Sequence, residues 1–203
     1  MGTDNDSRHS RREFLGASLA APAAFVIVSA TDAQGQARTL EPTPACGDDA
    51  HVTPRQTEGP FFKPQSPRRQ SLLESGTAGT RIVVEGTVLT MGCQPVPRAL
   101  LDFWHADDHG RYDNAGYHLR GHQFADDAGR YRLQTIVPGL YPGRTRHFHV
   151  KVQAPDGPVL TTQLYFPGEA ANERDFIFSP KLTVATRDVP DGKLGRFDFV
   201  LRM

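Results

Sequence analysis

The sequence has little that could build a disulfide scaffold, a long membrane span or a strongly charged surface. Its 203 residues include two cysteines, three methionines and one tryptophan. Two cysteines cannot form a multi-disulfide framework or a four-thiolate zinc site. Lysine plus arginine (23) equals aspartate plus glutamate (23), so a strongly basic nucleic-acid surface and an acidic disordered tail are both excluded. We therefore expect no nucleic-acid partner.

Helical periodicity is also missing, because no stretch keeps an apolar stripe over three turns. Glycine (19) and proline (16) are frequent instead, which favours many tight turns over a helix bundle. β-Branched and aromatic residues recur in short runs between turn signals, a pattern typical of strands. The seven runs are Arg81–Thr90, Leu100–His105, Arg130–Ile136, His147–Gln153, Thr161–Phe166, Leu182–Thr186 and Arg196–Leu201. They predict an all-β fold, either a β-sandwich or a small barrel.

The predicted strands lie within residues 80–203, which we interpret as one domain, and the preceding residues differ in composition. Residues 38–79 are rich in proline, glycine, threonine and arginine and predict an irregular N-terminal segment. In an oxidising compartment Cys46 and Cys93 could pair. Two unpaired, buried thiols are the alternative.

Residues 1–37 indicate a secretory signal of the twin-arginine type. A charged start contains Arg11 and Arg12, an apolar run extends from Ala17 to Ala30, and small residues follow. This order is typical of an export signal, and the paired arginines resemble the twin-arginine address. The apolar run is shorter than the about 20 residues of a membrane-spanning helix. We expect a periplasmic or extracellular protein without stable membrane insertion, with an uncleaved amphipathic helix as the alternative.

Histidines are concentrated in the second half of the chain. The pattern His147-Phe148-His149 falls in a predicted strand, so both imidazoles project from one face while Phe148 points to the core. Such a pair can bind one metal ion, and a pair of exposed strand histidines is the alternative. Six histidines lie between positions 105 and 149. The four outside this pair are interpreted as solvated loop residues rather than a second metal site: His105, His109, His118 and His122.

Tyrosines near this pair indicate which metal would suit it. Tyr141 and Arg144 lie just before the strand of His147, and Tyr112 follows the run Leu100–His105. A phenolate is a hard, anionic oxygen donor, whereas zinc usually takes cysteine, histidine or carboxylate ligands. Two phenolates with two imidazoles would neutralise much of the charge of Fe(III) and favour the ferric state.

Five motifs occur in order between about Thr53 and Phe166. They are Thr57-Glu58-Gly59-Pro60-Phe61-Phe62, Leu101 to Tyr112, Ile136 to Tyr141, Arg144 to His149, and Thr162 to Phe166. Together they resemble the intradiol ring-cleaving dioxygenases, the catechol and protocatechuate 3,4-dioxygenase family. That family has a β-sandwich of the prealbumin kind, with an immunoglobulin-like layout, in agreement with the predicted strands.

The resemblance implies a ferric iron, Fe(3+), bound by Tyr112, Tyr141, His147 and His149. It also implies that Tyr112 stays bound to iron while the substrate displaces Tyr141. The expected reaction inserts both atoms of O2 into a catecholic ring and gives a cis,cis-muconate-type product.

Two further residues take roles from the same resemblance. Arg144 would stabilise negative charge that develops on the ring, and Gln163 would form a hydrogen bond near the path of oxygen. Between Tyr141 and His147 the chain has fewer residues than the family pattern. The missing residues normally line the substrate pocket, so the identity of the catechol stays open. The sequence has no room for the helical dimerisation segment of catechol 1,2-dioxygenases. Whether the chain forms a homo-oligomer stays open.

Other functions remain as alternatives. An exported β-sandwich binding module without turnover would use the same tyrosines and histidines structurally. A cupin-like metalloenzyme would need an acidic ligand after His149, where the sequence continues Val150-Lys151-Val152-Gln153. An interaction domain of an envelope complex has no positive support in the sequence.

Overall fold

Nine β-strands divide between two sheets in the computed structural model of the protein, which describes residues 52–203. Two short 3₁₀-helices, Ala170–Arg174 and Pro180–Leu182, lie between the sixth and seventh strands. The strands are β1 (Arg81–Thr90), β2 (Leu100–Trp104), β3 (Arg120–Phe124), β4 (Arg130–Ile136), β5 (His147–Gln153), β6 (Val159–Tyr165), β7 (Ala185–Val189), β8 (Gly192–Arg196) and β9 (Phe199–Leu201).

The two sheets confirm the predicted all-β sandwich. One has the order β4-β1-β8-β7, with β9 also paired to β1, and the other has the order β3-β2-β5-β6. Pairing is antiparallel except where β1 meets β8 and β9. Strand β5 lies inside the four-stranded sheet and supplies Phe148, Val150 and Val152 to the core. Its alternation leaves the opposite face free to carry polar side chains.

Five predicted strands coincide with β1, β2, β4, β5 and β6 to within two residues at each end. Strand β3 was not predicted, because its sequence Arg-Gly-His-Gln-Phe does not alternate apolar with polar residues. It forms because its backbone pairs with all of β2. The two C-terminal runs, Leu182–Thr186 and Arg196–Leu201, were predicted with wrong boundaries and correspond to three strands, β7 to β9.

Close backbone contact at Gly86 separates β8 from β9. A Cβ atom on Gly86 would lie 1.8 Å from the carbonyl oxygen of Phe197. In addition, the Asp198 carboxylate accepts a hydrogen bond from the Thr87 N–H at 2.7 Å. Strand β1 can therefore pair with β8 before this point and with β9 after it.

Residues 52–79 contain only isolated bridges, in agreement with the predicted irregular segment. The predicted export signal and residues 38–51, including Cys46, lie outside the described residues. Among residues 52–203, no helix has the length and apolar character that a bilayer crossing needs.

Candidate metal centre

The centre begins with two imidazoles on one face of β5. His147 and His149 are 3% and 2% exposed, and Phe148 between them is packed in the core. The Nε2 atoms of the two histidines lie 3.1 Å apart. The period of the strand therefore places two nitrogen donors at one point, as the sequence predicted.

The backbone fixes the tautomer of His147. Its Nδ1 lies 2.6 Å from the carbonyl oxygen of Thr145 and must donate to it. The proton is then on Nδ1, and Nε2 keeps a lone pair directed at His149. This outer hydrogen bond is the arrangement that orients metal-binding histidines in proteins.

Burial keeps both imidazoles neutral. It lowers the pKa of His147 to about 4, although the hydrogen bond to Thr145 opposes the shift. For His149, burial and then the charge of a protonated His147 lower the pKa well below the ordinary value. Trp104 stacks on the ring of His149 with centroids 4.9 Å apart and an interplanar angle of 7°. Neutral, enclosed imidazoles are the form that binds metal ions.

Tyr112 adds an oxygen donor to the histidine pair. Its hydroxyl lies 3.3 Å from His147 Nε2. Burial raises the pKa of Tyr112 above the ordinary tyrosine value, although the charges of Arg144 and Arg120 oppose that shift. Without a bound cation the hydroxyl is therefore a neutral phenol, and ionising it requires a strong positive charge nearby.

A pair of glycines brings the loop of Tyr112 against the loop of Tyr141. Gly110 has φ +80°, and a Cβ on it would lie 2.1 Å from the carbonyl oxygen of Leu140. A Cβ on Gly139 would lie 2.3 Å from the Gly110 nitrogen. Only residues without side chains permit this approach.

Tyr141, like Tyr112, is partly exposed, whereas the two histidines are buried. Its ring centroid lies 5.9 Å from that of Tyr112, with an interplanar angle of 74°. Within the described part of the chain its hydroxyl has no hydrogen-bond partner. Phe61 contacts both tyrosines, stacking on Tyr112 at 4.3 Å and meeting Tyr141 edge-on at 5.4 Å. The sequence interpretation gave Phe61 no role of its own in the site.

Arg144 and Gln163, the two other predicted site residues, contact each other. Arg144 Nη2 donates to Gln163 Oε1 at 2.7 Å, and Gln163 Nε2 donates to the Thr57 carbonyl at 2.9 Å. The hydroxyl of Tyr165 also donates to Gln163 Oε1 at 3.1 Å. Three groups thus hold the amide of Gln163, which is fully buried.

Asp175 is a further residue of this network that the sequence interpretation missed. Its Oδ2 accepts hydrogen bonds from Arg144 Nε and the Thr145 N–H, each at 2.9 Å, and its Oδ1 accepts from the Ile177 N–H at 3.1 Å. Burial raises the pKa of the Asp175 carboxyl, but these hydrogen bonds outweigh burial and leave the pKa below its usual value. The local sequence around Asp175 indicates only an Asx turn, in which its side chain accepts from the N–H two residues later, that of Ile177. Nothing in that pattern points to Arg144.

The four other histidines do not converge on the centre. His105 was expected in solvent, and this was wrong: it is 1% exposed, with Nε2 2.7 Å from Thr135 Oγ1 and Nδ1 2.8 Å from the Ala106 carbonyl. His109 is exposed, His118 pairs with Glu74, and His122 lies on β3 beside Ser66. Over residues 52–203, no three His, Cys, Asp or Glu side chains are grouped as a metal site.

A cavity of about 440 Å³ opens beside Tyr141 and Arg144. Gly143, in the turn between them, has φ +78° and no atom within 4 Å of a Cβ placed on it. The cavity is within the usual range for small-molecule sites. Its lining residues are Leu140, Tyr141, Pro142, Gly143, Arg144, Ala171 and Arg174.

Known proteins resemble this chain over most of the described residues. A family model described as Dioxygenase matches residues 57–203. A hydroxyquinol 1,2-dioxygenase from Nocardioides simplex is 32% identical over 165 residues, which cover 68% of this chain and 56% of that protein. The chain thus spans little more than half the length of this curated relative.

Two solved structures share the fold. The dioxygenase domain of a dioxygenase carbohydrate-binding protein fusion from Streptomyces sp. SirexAA-E is 55% identical, with a TM-score of 0.74, covering 75% of this chain and 99% of that one. A hydroxyquinol 1,2-dioxygenase from Pseudomonas putida DLL-E4 is 26% identical, with a TM-score of 0.67, covering 74% of this chain and 66% of that one.

Proposed function

Because the chain belongs to the intradiol ring-cleaving dioxygenase family, we propose that it uses ferric iron and O2 to cleave a catechol between its two hydroxyl-bearing carbons. One observation carries the proposal. Two neutral imidazole nitrogens 3.1 Å apart and a tyrosine hydroxyl 3.3 Å from one of them converge in a buried site. This donor set suits a hard trivalent cation better than zinc.

The residues present fit such an ion. His147 offers an Nε2 lone pair because Thr145 holds its other nitrogen, and His149 offers a second nitrogen in the same enclosure. Tyr112 and Tyr141 would complete the set as phenolates and supply two negative charges. The raised pKa of Tyr112 means that its proton leaves only when a cation takes its place. We therefore assign Tyr112, Tyr141, His147 and His149 as the ligands of Fe(3+).

Tyr141 is proposed as the ligand that the substrate replaces. It is partly exposed, its hydroxyl is unpartnered among the described residues, and it borders the 440 Å³ cavity. On leaving, its phenolate oxygen can take one of the two catechol protons. Bound ferric iron would act as a Lewis acid and as a template for both catechol oxygens.

Arg144 is proposed to stabilise negative charge on the bound ring. Its guanidinium borders the cavity, and its Nε and Nη2 atoms are held by Asp175 and Gln163. A cation fixed before the reaction stabilises developing charge without reorganisation. In this arrangement Gln163 orients Arg144, and its amide would form a hydrogen bond near the path of O2.

The overall reaction oxidises the catechol and reduces O2. The ring bond between the two oxygen-bearing carbons breaks, and both oxygen atoms enter a cis,cis-muconate-type dicarboxylate. Relatives named hydroxyquinol and catechol 1,2-dioxygenases and a protocatechuate 3,4-dioxygenase beta chain support this reaction class. No specific observation favours the binding module without turnover.

Oxygen uptake by the ferric protein tests the proposal. We expect uptake with at least one of catechol, protocatechuate and hydroxyquinol, and product spectra of an intradiol dicarboxylate. The His147→Ala variant should lose uptake and metal, whereas His109→Ala, at an exposed histidine outside the centre, should keep both. Extradiol products, or uptake that survives His147→Ala, would contradict the proposal.

We also propose export by the twin-arginine route, on the basis of Arg11 and Arg12 before an apolar run. That route carries folded proteins, which suits a metal acquired before export. Fractionation of cells expressing the full chain should find the protein outside the cytoplasm. Changing both arginines to lysine should retain it inside, and equal export of both forms would contradict the proposal.

A further inference from the structure

Asp175 is the most enclosed carboxylate beside the centre, and it lies outside the proposed ligand set. Its side chain is 1% exposed and forms an ion pair with Arg144, whose side chain is 15% exposed. It stands directly after the 3₁₀-helix Ala170–Arg174. A buried carboxylate requires partners for its charge, and the partner here is the guanidinium of Arg144, a residue that lines the 440 Å³ cavity.

The guanidinium of Arg144 is held along one edge only. Nε donates to Asp175 at 2.9 Å and Nη2 donates to Gln163 at 2.7 Å. Because the guanidinium is planar, two such contacts fix both its position and its plane. Nη1 has no hydrogen-bond partner among residues 52–203. Asp175 and Gln163 therefore occupy one edge and leave the other available to a ligand.

Asp175 Oδ2, which accepts from Arg144 Nε, also accepts a hydrogen bond from the Thr145 N–H at 2.9 Å. A second contact reaches Thr145 from this loop, because its hydroxyl donates to Asn172 Oδ1 at 2.6 Å. Asn172 does not touch Arg144. The loop thus contains Asp175, which holds both Thr145 and Arg144, and Asn172, which holds Thr145 and the Phe166 carbonyl but not Arg144. Variants of the two residues therefore separate the effect on Thr145 from the effect on Arg144.

From this geometry we infer that Asp175 is a positioning residue, which holds the Arg144 guanidinium in the plane that serves the substrate. The inference rests on the proposed function. Asp175 forms no hydrogen bond with the proposed metal ligands, and among the residues that line the cavity its hydrogen-bond partner is Arg144. Its removal should therefore impair turnover through Arg144 while leaving metal binding unchanged.

The Asp175→Asn variant tests this role. Asparagine carries no charge and has one acceptor oxygen, so it cannot accept from Arg144, Thr145 and Ile177 together. We therefore expect kcat for the best catechol of the panel to fall about tenfold or more. The visible band of the ferric protein should be unchanged. Asn172→Ala, the matched control, should keep kcat within about twofold of the wild type. An equal loss in Asn172→Ala would overturn the inference, because disturbance of Thr145 alone would then explain it.

A double variant determines whether Asp175 acts through Arg144. Asp175→Asn should reduce turnover in the wild type but add no further loss to Arg144→Met. An equal fold-loss in both backgrounds would overturn the inference. If Asp175→Asn does not fold, Asp175→Glu keeps the charge but displaces the carboxylate by one methylene. It should show the same loss of kcat with the ferric band intact, and an unchanged kcat would count against the role.

A crystal structure of Asp175→Asn, or of Asp175→Glu if the first does not fold, gives a readout independent of activity. We expect Arg144 Nη2 to have moved beyond hydrogen-bond distance of Gln163 Oε1. A guanidinium in its original place would overturn the inference. If the wild-type ferric protein cleaves no catechol, the proposed function fails, and this structure still decides whether Asp175 positions Arg144.

Discussion

Gly110 lies so close to Leu140 that a Cβ on the glycine would stand 2.1 Å from the leucine carbonyl oxygen. This contact joins the loop that carries Tyr112 to the loop that carries Tyr141. The oxygen belongs to the backbone, so it cannot swing aside as a flexible side chain would. The distance between the two proposed phenolate ligands therefore depends on a residue with no side chain.

Gly110→Ala should separate the two tyrosine loops. The expected cost has a backbone part, about 1–2 kcal/mol for a side chain at positive φ, and a clash part of about 1–3 kcal/mol. Gly76→Ala is the matched control, because Gly76 has φ +81° against +80° for Gly110 and no atom within 4 Å of its Cβ position.

Urea unfolding measures the loss of stability, and the visible spectrum of the ferric protein reports whether both tyrosines still bind the metal. Gly110→Ala should unfold at lower urea than Gly76→Ala and should have a weaker phenolate-to-iron band. Equal stability and equal spectra in the two variants would show that the contact does not hold the tyrosines together.

His105 should make the stability of the metal-free protein depend on pH. Burial lowers its pKa to about 3 in the folded state, while the unfolded chain protonates near pH 6.5. Between these values the unfolded state binds the extra proton. The contribution is therefore complete above pH 6.5 and is lost progressively as the pH falls towards 3.

Replacing His105 by Gln should reduce the dependence of unfolding free energy on pH, by up to about 1.4 kcal/mol per pH unit. Urea titrations at several pH values from 4 to 7 would measure the slope. His109→Gln removes an exposed histidine and should leave the slope unchanged. Parallel slopes in the wild type and His105→Gln would contradict the assignment.

Metal removal should destabilise the fold if iron binds to the native state and not to the unfolded chain. A ligand present at about 100 times its Kd stabilises the native state by about 2.7 kcal/mol. Chelation should therefore lower the Tm of the ferric protein. His149→Ala should have the same Tm with and without chelator, whereas a Tm difference equal to that of the wild type would place the metal elsewhere.

Local pattern predicted the parts of the site that lie on one strand. The two-residue period of β5 places His147 and His149 together and sends Phe148 to the core, and no information from outside the strand was needed. Tyr112, Tyr141 and Arg144 were candidates because they lie near the predicted strands in sequence. The resemblance to a known family gave them roles and added Gln163.

The parts that the sequence did not predict depend on contacts between distant segments. Phe61 contacts Tyr112 across 51 positions, and Asp175 contacts Arg144 across 31. Neither residue belongs to a periodic pattern. His105 illustrates the same limit, because its neighbours are polar in sequence while the fold encloses it against Thr135. Pairing with β2 likewise creates β3 from a segment without strand periodicity.

Iron titration with visible spectroscopy tests the central claim most directly. The metal-free protein should bind one ferric ion per chain and develop a phenolate-to-iron band. Tyr112→Phe and Tyr141→Phe should each weaken the band, the double variant should abolish it, and Tyr131→Phe, at a buried tyrosine outside the centre, should keep it. Full colour in the double variant, or no iron bound by the wild type, would contradict the account.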